Sequence, residues 1–169
     1  MKLILNFVKL ILLSIWVGAT LFFGAVVAPS AFGVLRSFEL TNANEIAGSI
    51  VTRCLSVINI AGFIVGLFVL LCLLVSAKPK GLRFVVELIS AGVIVLATGI
   101  GHWVIAARML ALRVAMSPSI DQIRPDDPRR IEFNTLHSYS VNTLGVAMIA
   151  ALVMIILISG RIKNLKTEV

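Results

Sequence analysis

The residues best suited to bind or ligate are two histidines, His102 and His137, set inside long apolar stretches. Arg53, Arg108, Ser140 and Asn142 accompany them in similar surroundings. Ionisable and polar groups within membrane segments are functional candidates by default, because placing them there is costly. Arginine and histidine would supply positive charge and donors to a small or anionic solute or a lipid headgroup, and such contacts strengthen where the dielectric is low. Histidines on facing helices of a bundle are also a known way to hold haem b or a metal ion such as copper. A nucleophile–base pair, an HExxH motif, a phosphate loop and paired intramembrane carboxylates are all missing from the sequence, so the expectation is a protein that is not an enzyme.

The elements that position these residues are membrane helices. The chain has 169 residues, of which 59% are hydrophobic and 14% charged, with a mean hydropathy of +1.06. Soluble domains carry about 25% charged residues. Charge is absent from residues 10–35, 54–77, 88–107 and 133–160. A helix needs about 20 apolar residues to cross the hydrocarbon, and each stretch is long enough. Together these features exclude a soluble enzyme and, despite a net charge of +7, a soluble nucleic-acid binder. The predicted fold is all-α: a polytopic membrane protein forming an antiparallel four-transmembrane-helix bundle, with residues 1–169 as one membrane domain.

Cap residues sharpen the helix ends. Asn42 and Glu45 have capping-box spacing, Asp127-Pro128 is an N-cap followed by proline at the first helical position, and Ser117-Pro118 stops the third helix. The helices are placed at about 3–35, 43–77, 82–116 and 128–162. The run from Leu10 to Ala28 exceeds a signal-peptide h-region of ~7–15 residues, so it is read as a retained first helix. Gly62-x-x-x-Gly66 and Ala97-x-x-x-Gly101 are small-residue pairs suited to close packing between helices of one chain. Cys54 and Cys72 would lie ~27 Å apart along one helix, too far for a disulfide.

Four spans put both termini on one side with the short 78–83 loop. Lys2, Lys9, Lys78, Lys80, Arg83, Arg161, Lys163 and Lys166 are concentrated there, and the positive-inside rule then makes that side cytoplasmic. The setting implied is a bacterial cytoplasmic membrane. Measured from the opposite helix ends, Arg53, Arg108 and His137 lie ~12–15 Å deep and Asn59, His102 and Asn142 ~21–24 Å deep. These depths describe an outward-facing polar vestibule over an apolar floor, whose inner half offers Glu87 near its edge. At about 100° per residue, His137 and Asn142 diverge by about 140° and His102 and Arg108 by about 120°, so one of each pair faces the bundle and the other the interface.

Several short motifs run through the chain: Trp16-x-Gly18, Phe22-Phe23, Pro29 and Phe32, then Ala47-Gly48, Trp103 with Arg108, and Phe133-x-x-Leu136-His137-x-x-Ser140. This pattern resembles the transmembrane protein 205-like family of small four-helix membrane proteins. The resemblance implies fold and membrane location and supplies no biochemical activity. Two positions depart from it: Ala107 stands where the family has proline, and the asparagine after His137 falls at 142, with Leu at 144. The first-helix pattern is also similar to copper-resistance membrane domains and to four-helix haem-associated proteins.

The leading functional expectation is binding or movement of a small or anionic ligand or lipid in the vestibule, through Arg53, Arg108, His137, Ser140 and Asn142. One alternative is haem or metal binding by His102 and His137. Another is an accessory or scaffold subunit that packs against other membrane subunits or its own copies, with the loop at 117–127 as the docking surface. The lipid bilayer is the expected partner throughout, and nucleic acid is not.

Overall fold

The computed structural model describes residues 2–75, 81–117 and 120–167, with side chains from Leu3 through Ile162. The end of the predicted second helix at 76–77, the basic residues Lys78 and Lys80, and Pro118 lie outside the described residues. The first span comprises α1 (Lys2–Phe22), a π-helical turn (Phe23–Val27) and α2 (Ala28–Ser37). The second is α3 (Ala43–Val75). The third comprises α4 (Gly81–Gly99), a longer π-helical segment (Ile100–Ala106) and α5 (Ala107–Ala115). A short 3-10 turn (Ile120–Gln122) leads to α6 (Pro128–Thr167), the fourth span. All four are long and apolar enough to cross a bilayer.

The outer surface of the bundle is apolar. Ile4, Ile15, Ile64, Leu71, Leu96, Val104, Ile149 and Ile156 are all exposed, as expected where the solvent is lipid. Packing inside relies on small residues. A Cβ added to Gly62 would stand 2.6 Å from the indole of Trp16, and one on Gly66 would stand 2.8 Å from Ile94. The glycines therefore let α1 and α4 press against α3. The Trp16 indole N–H is satisfied by the carbonyl of Ile58 at 2.9 Å, which fixes the first span against the second. The small-residue pairs thus serve contacts within the chain.

Both π segments have consequences for register. Pro29 lacks an N–H and its ring crowds the carbonyl four residues earlier, and the helix widens just upstream over Phe23–Val27. Below this turn α1 packs along α6; above it α2 packs on α3 instead. The first span thus parts from the fourth at mid-height. In the third span the wide turns over Ile100–Ala106 shift every later residue around the helix axis. Angles between His102 and Arg108 drawn from a uniform 100° step therefore do not hold.

At the end bearing the termini the bundle is closed by charge. Glu87 is fully buried, and Arg161 donates to both its oxygens at 2.8 Å. Arg83, one turn earlier, lies 3.7 Å from the same carboxylate and also donates to the carbonyl of Leu157. Lys9 and Asn6 of α1 are buried nearby in the chain, at 3% and 5% exposure. The inner half is therefore richer than the sequence expectation of Glu87 alone, because Arg83 and Arg161 pair with it and Lys9 is buried on α1.

Candidate functional site

Where the first span leaves the fourth, a chamber of about 550 Å³ opens between them. That lies within the ~300–1,000 Å³ range of small-ligand sites. Its wall is apolar: Leu21, Phe23, Phe32, Leu55, Leu144 and Met148, with Thr20, Ser140 and His137 as the polar exceptions. Leu21 and Val141 at its margin are exposed on the outer surface, so the chamber opens sideways towards the bilayer. Gly24 and Gly145 also border it, and nothing lies within 4 Å of a Cβ built on either. The glycines leave space here that larger side chains would fill.

A second cavity of about 280 Å³ adjoins the first and shares Phe32, Val51 and His137 with it. Its lining is mixed and more polar than the chamber's: Arg36, Arg113 and Arg130 with Asn44, Asp121 and Asn134, beside Met109, Ile120 and Phe133. Arg113 is the best fixed of the three. Its guanidinium donates to the hydroxyl of Ser49 at 3.0 Å, pairs with Glu45 at 3.5 Å and stands over the ring of Phe133 at 5.5 Å. Space for it exists because residue 48 is glycine; a Cβ there would stand 2.7 Å from its terminal nitrogen. Arg36 donates to Asn44 at 2.8 Å, and Asn44 in turn donates to Asp121 at 2.7 Å. The backbone N–H of Glu45 also donates to Asp121, at 3.3 Å, so the carboxylate caps α3 from the loop. Arg130 donates to the carbonyl of Ile123. This network ties the 3-10 turn and the starts of α3 and α6 around a cavity rich in guanidinium groups.

The sequence candidates are distributed unevenly about this site. His137 lines both cavities, and Ser140, buried, lines the chamber. Arg108 is exposed and bidentate to Glu132, at 2.7 and 3.0 Å. Arg53 and Asn142 are exposed on α3 and α6 and line neither cavity. Glu45 pairs with Arg113. His102 faces α3, its Nδ1 within 3.3 Å of the Ser56 hydroxyl, and stacks edge-on with Trp103. The two histidines therefore have different neighbours, one between the second and third spans and the other beside the chamber. No group of three or more His, Cys, Asp or Glu able to hold a metal ion occurs among the described residues.

Sequence reasoning passed over Arg36, Arg113 and Arg130 as site residues, treating them as loop-side charge. One signal was available: Gly48 and Thr52, a turn apart on α3, present a small surface at the depth of Arg113.

At the start of α6, Asp127 accepts from the backbone N–H and the guanidinium of Arg129, at 2.8 Å and between 2.7 and 3.0 Å. The side-chain hydrogen bond from Arg129, followed by the backbone one, holds its carboxyl down at about 2. The predicted N-cap with proline at the first helical position is thus formed.

The fold and site define a small integral membrane protein with a laterally open cavity, set in a lipid bilayer. The chain belongs to the family described as a domain of unknown function, DUF4149, whose model matches residues 11–118. Comparison with curated proteins and with solved structures gives no match.

Proposed function

We propose that the protein binds a membrane amphiphile with an anionic head. Its apolar chain would lie in the chamber between the first and fourth spans, and its head among Arg113, Arg130 and Arg36. His137, at the junction, would donate to the head from below. The observation that carries this reading is the adjacency of the two cavities, one apolar and open to lipid, the other more polar and lined by three guanidiniums. Anionic oxygens pair with such donors more strongly than neutral acceptors do. The positive-inside rule adds an orientation: with the termini cytoplasmic, the head site belongs to the outer leaflet.

In this reading Arg53, Arg108 and Asn142 act outside the binding contacts, and Arg108 with Glu132 joins the third span to the fourth. Kinship with the transmembrane protein 205-like family rests on the short motifs of the first and fourth spans, and within it Phe32, His137 and Ser140 would be the residues shared with the site. The haem, metal and accessory-subunit readings gain no specific observation of their own.

The test is analysis of lipids that co-purify in a mild neutral detergent. Wild-type protein should carry an anionic lipid in stoichiometric amount, and Arg113→Gln should lose it while staying folded. Retention of the same lipid by Arg113→Gln, or a carried lipid that is uniformly zwitterionic, contradicts the proposal.

A further inference from the structure

We infer a second site, for a phosphate-type oxyanion, at the opposite end of the bundle, built from Lys9, Arg83 and Arg161 around Glu87. The three cations come from three different spans. Lys9 lies seven residues along α1, Glu87 six residues into α4, and Arg161 six residues before the end of α6. At 1.5 Å per residue Lys9, Glu87 and Arg161 stand ~9–11 Å inside the helix ends, and Arg83, one turn before Glu87, ~3 Å inside.

Among the described side chains this end holds three cations, Lys9, Arg83 and Arg161, and one carboxylate, Glu87. Glu39, Glu45, Asp121, Asp126, Asp127 and Glu132, the other described carboxylates, all lie towards the loop end. Lys9 is 3% exposed and sits on the part of α1 that packs along α6, the helix that carries Arg161. Uncompensated charge at such a position is expensive, and a counter-anion relieves it. A donor is also left over. The Nε of Arg83 is buried and finds no hydrogen-bond acceptor among the described residues, its approach to Glu87 being 3.7 Å. Access exists as well, because the side chains of Arg83 and Arg161 are 39% and 35% exposed. Basic pockets between helices at the membrane surface take phosphate-bearing headgroups by this combination of donors and charge. The ligand is thus either the headgroup of an anionic lipid or a free phosphate.

The site is tested in Arg113→Gln protein, so that binding in the loop-end cavity is already removed. Native mass spectrometry in neutral maltoside detergent would follow titration with phosphatidylglycerol, phosphatidylcholine or inorganic phosphate, each alone. Phosphatidylglycerol or phosphate should still bind, and Arg83→Gln should weaken that binding by about tenfold, the loss of one charge-assisted hydrogen bond. Glu87→Gln removes the internal counter-charge and should strengthen it. If Glu87→Gln does not fold, the Arg83→Gln arm decides.

Binding of the lipid alone identifies a headgroup site, and binding of both identifies a site for the oxyanion itself. Equal binding of phosphatidylcholine overturns the inference, as does indifference to Arg83→Gln or an absence of binding once Arg113 is replaced. Glu168 lies outside the described residues. If Glu168→Gln strengthened binding as much as Glu87→Gln, the counter-charge would be internal and the inference would fall.

Discussion

The two ends of the bundle handle excess positive charge in opposite ways. At the loop end, ion pairs such as Arg108–Glu132 and Arg124–Asp126 are exposed, and the first and fourth spans are parted by the chamber. At the terminal end, Glu87 is fully buried and pairs with Arg83 and Arg161 of the third and fourth spans, and Lys9 of the first is buried too. Exposed pairs contribute little to stability, whereas a buried charge stripped of its partner is strongly destabilising. The first and fourth spans are therefore packed together at one end and parted at the other. A site that admits a ligand sideways fits the end where these two spans are already parted.

The largest effect should come from unfastening the closed end. Glu87→Ala leaves Arg161 without its carboxylate. Because Arg161 and Arg83 are about one-third exposed, the cost should fall at or below the lower limit for a buried pair, about 2–3 kcal/mol. Arg108→Ala at the open end should leave unfolding in mixed micelles unchanged. Equal losses for the two variants would erase the distinction between the ends.

Next come the glycines. Gly62→Ala drives a Cβ into the Trp16 indole and should cost about 1–3 kcal/mol as overpacking. Gly24→Ala meets open space and should be tolerated in the same unfolding assay. A similar cost at both positions would mean that the space beside Gly24 is not free.

A smaller effect concerns the head site itself. Arg130→Gln removes one guanidinium from the polar cavity and should weaken retention of an anionic lipid by up to about tenfold, read by native mass spectrometry. Arg124→Gln, whose partner Asp126 lies outside that cavity, should leave it unchanged.

The smallest effect lies at the start of α6. The Asp127 carboxyl is held at about 2, below its ordinary value of 3.8, by its hydrogen bonds from Arg129. A lowered folded-state value means that the carboxylate stabilises the helix start fully above pH 3.8. This contribution falls as the pH drops through about 2. Carboxyl-carbon NMR should show Asp127 titrating near 2, and Arg129→Gln should return it towards 3.8. An unshifted Asp127 in the wild-type protein would remove this cap from the account.

Much of the fold was legible because bilayer thickness and hydrocarbon solubility leave few choices. Uncharged runs long enough to span marked the four helices, and Asp127-Pro128 marked the start of the fourth. Gly62 and Gly66 announced close packing. The site was less legible for two physical reasons. Pro29 signals a perturbed helix, but not that α2 would lean onto α3 and open a chamber beside α6; that depends on packing between distant segments. The π segment over Ile100–Ala106 contains no proline and shifts the helical phase, so angular arithmetic on His102 and Arg108 started from the wrong periodicity. His137 and Ser140 were found because they sit in an apolar run where any polar group stands out. Arg113 and Lys9 were harder to recognise. Near helix ends arginine and lysine usually snorkel, and only tertiary contacts distinguish a buried one from an anchor.

The central claim is that one ligand occupies both cavities at once, head and tail. Native mass spectrometry of a long-chain and a short-chain anionic lipid on wild-type protein, Arg113→Gln and Gly145→Leu tests it most directly. Arg113→Gln should weaken both lipids, because both carry the head. Gly145→Leu fills the chamber, so it should weaken the long-chain lipid and spare the short-chain one. Equal behaviour of the two lipids towards Gly145→Leu, or wild-type retention in both variants, would contradict the account.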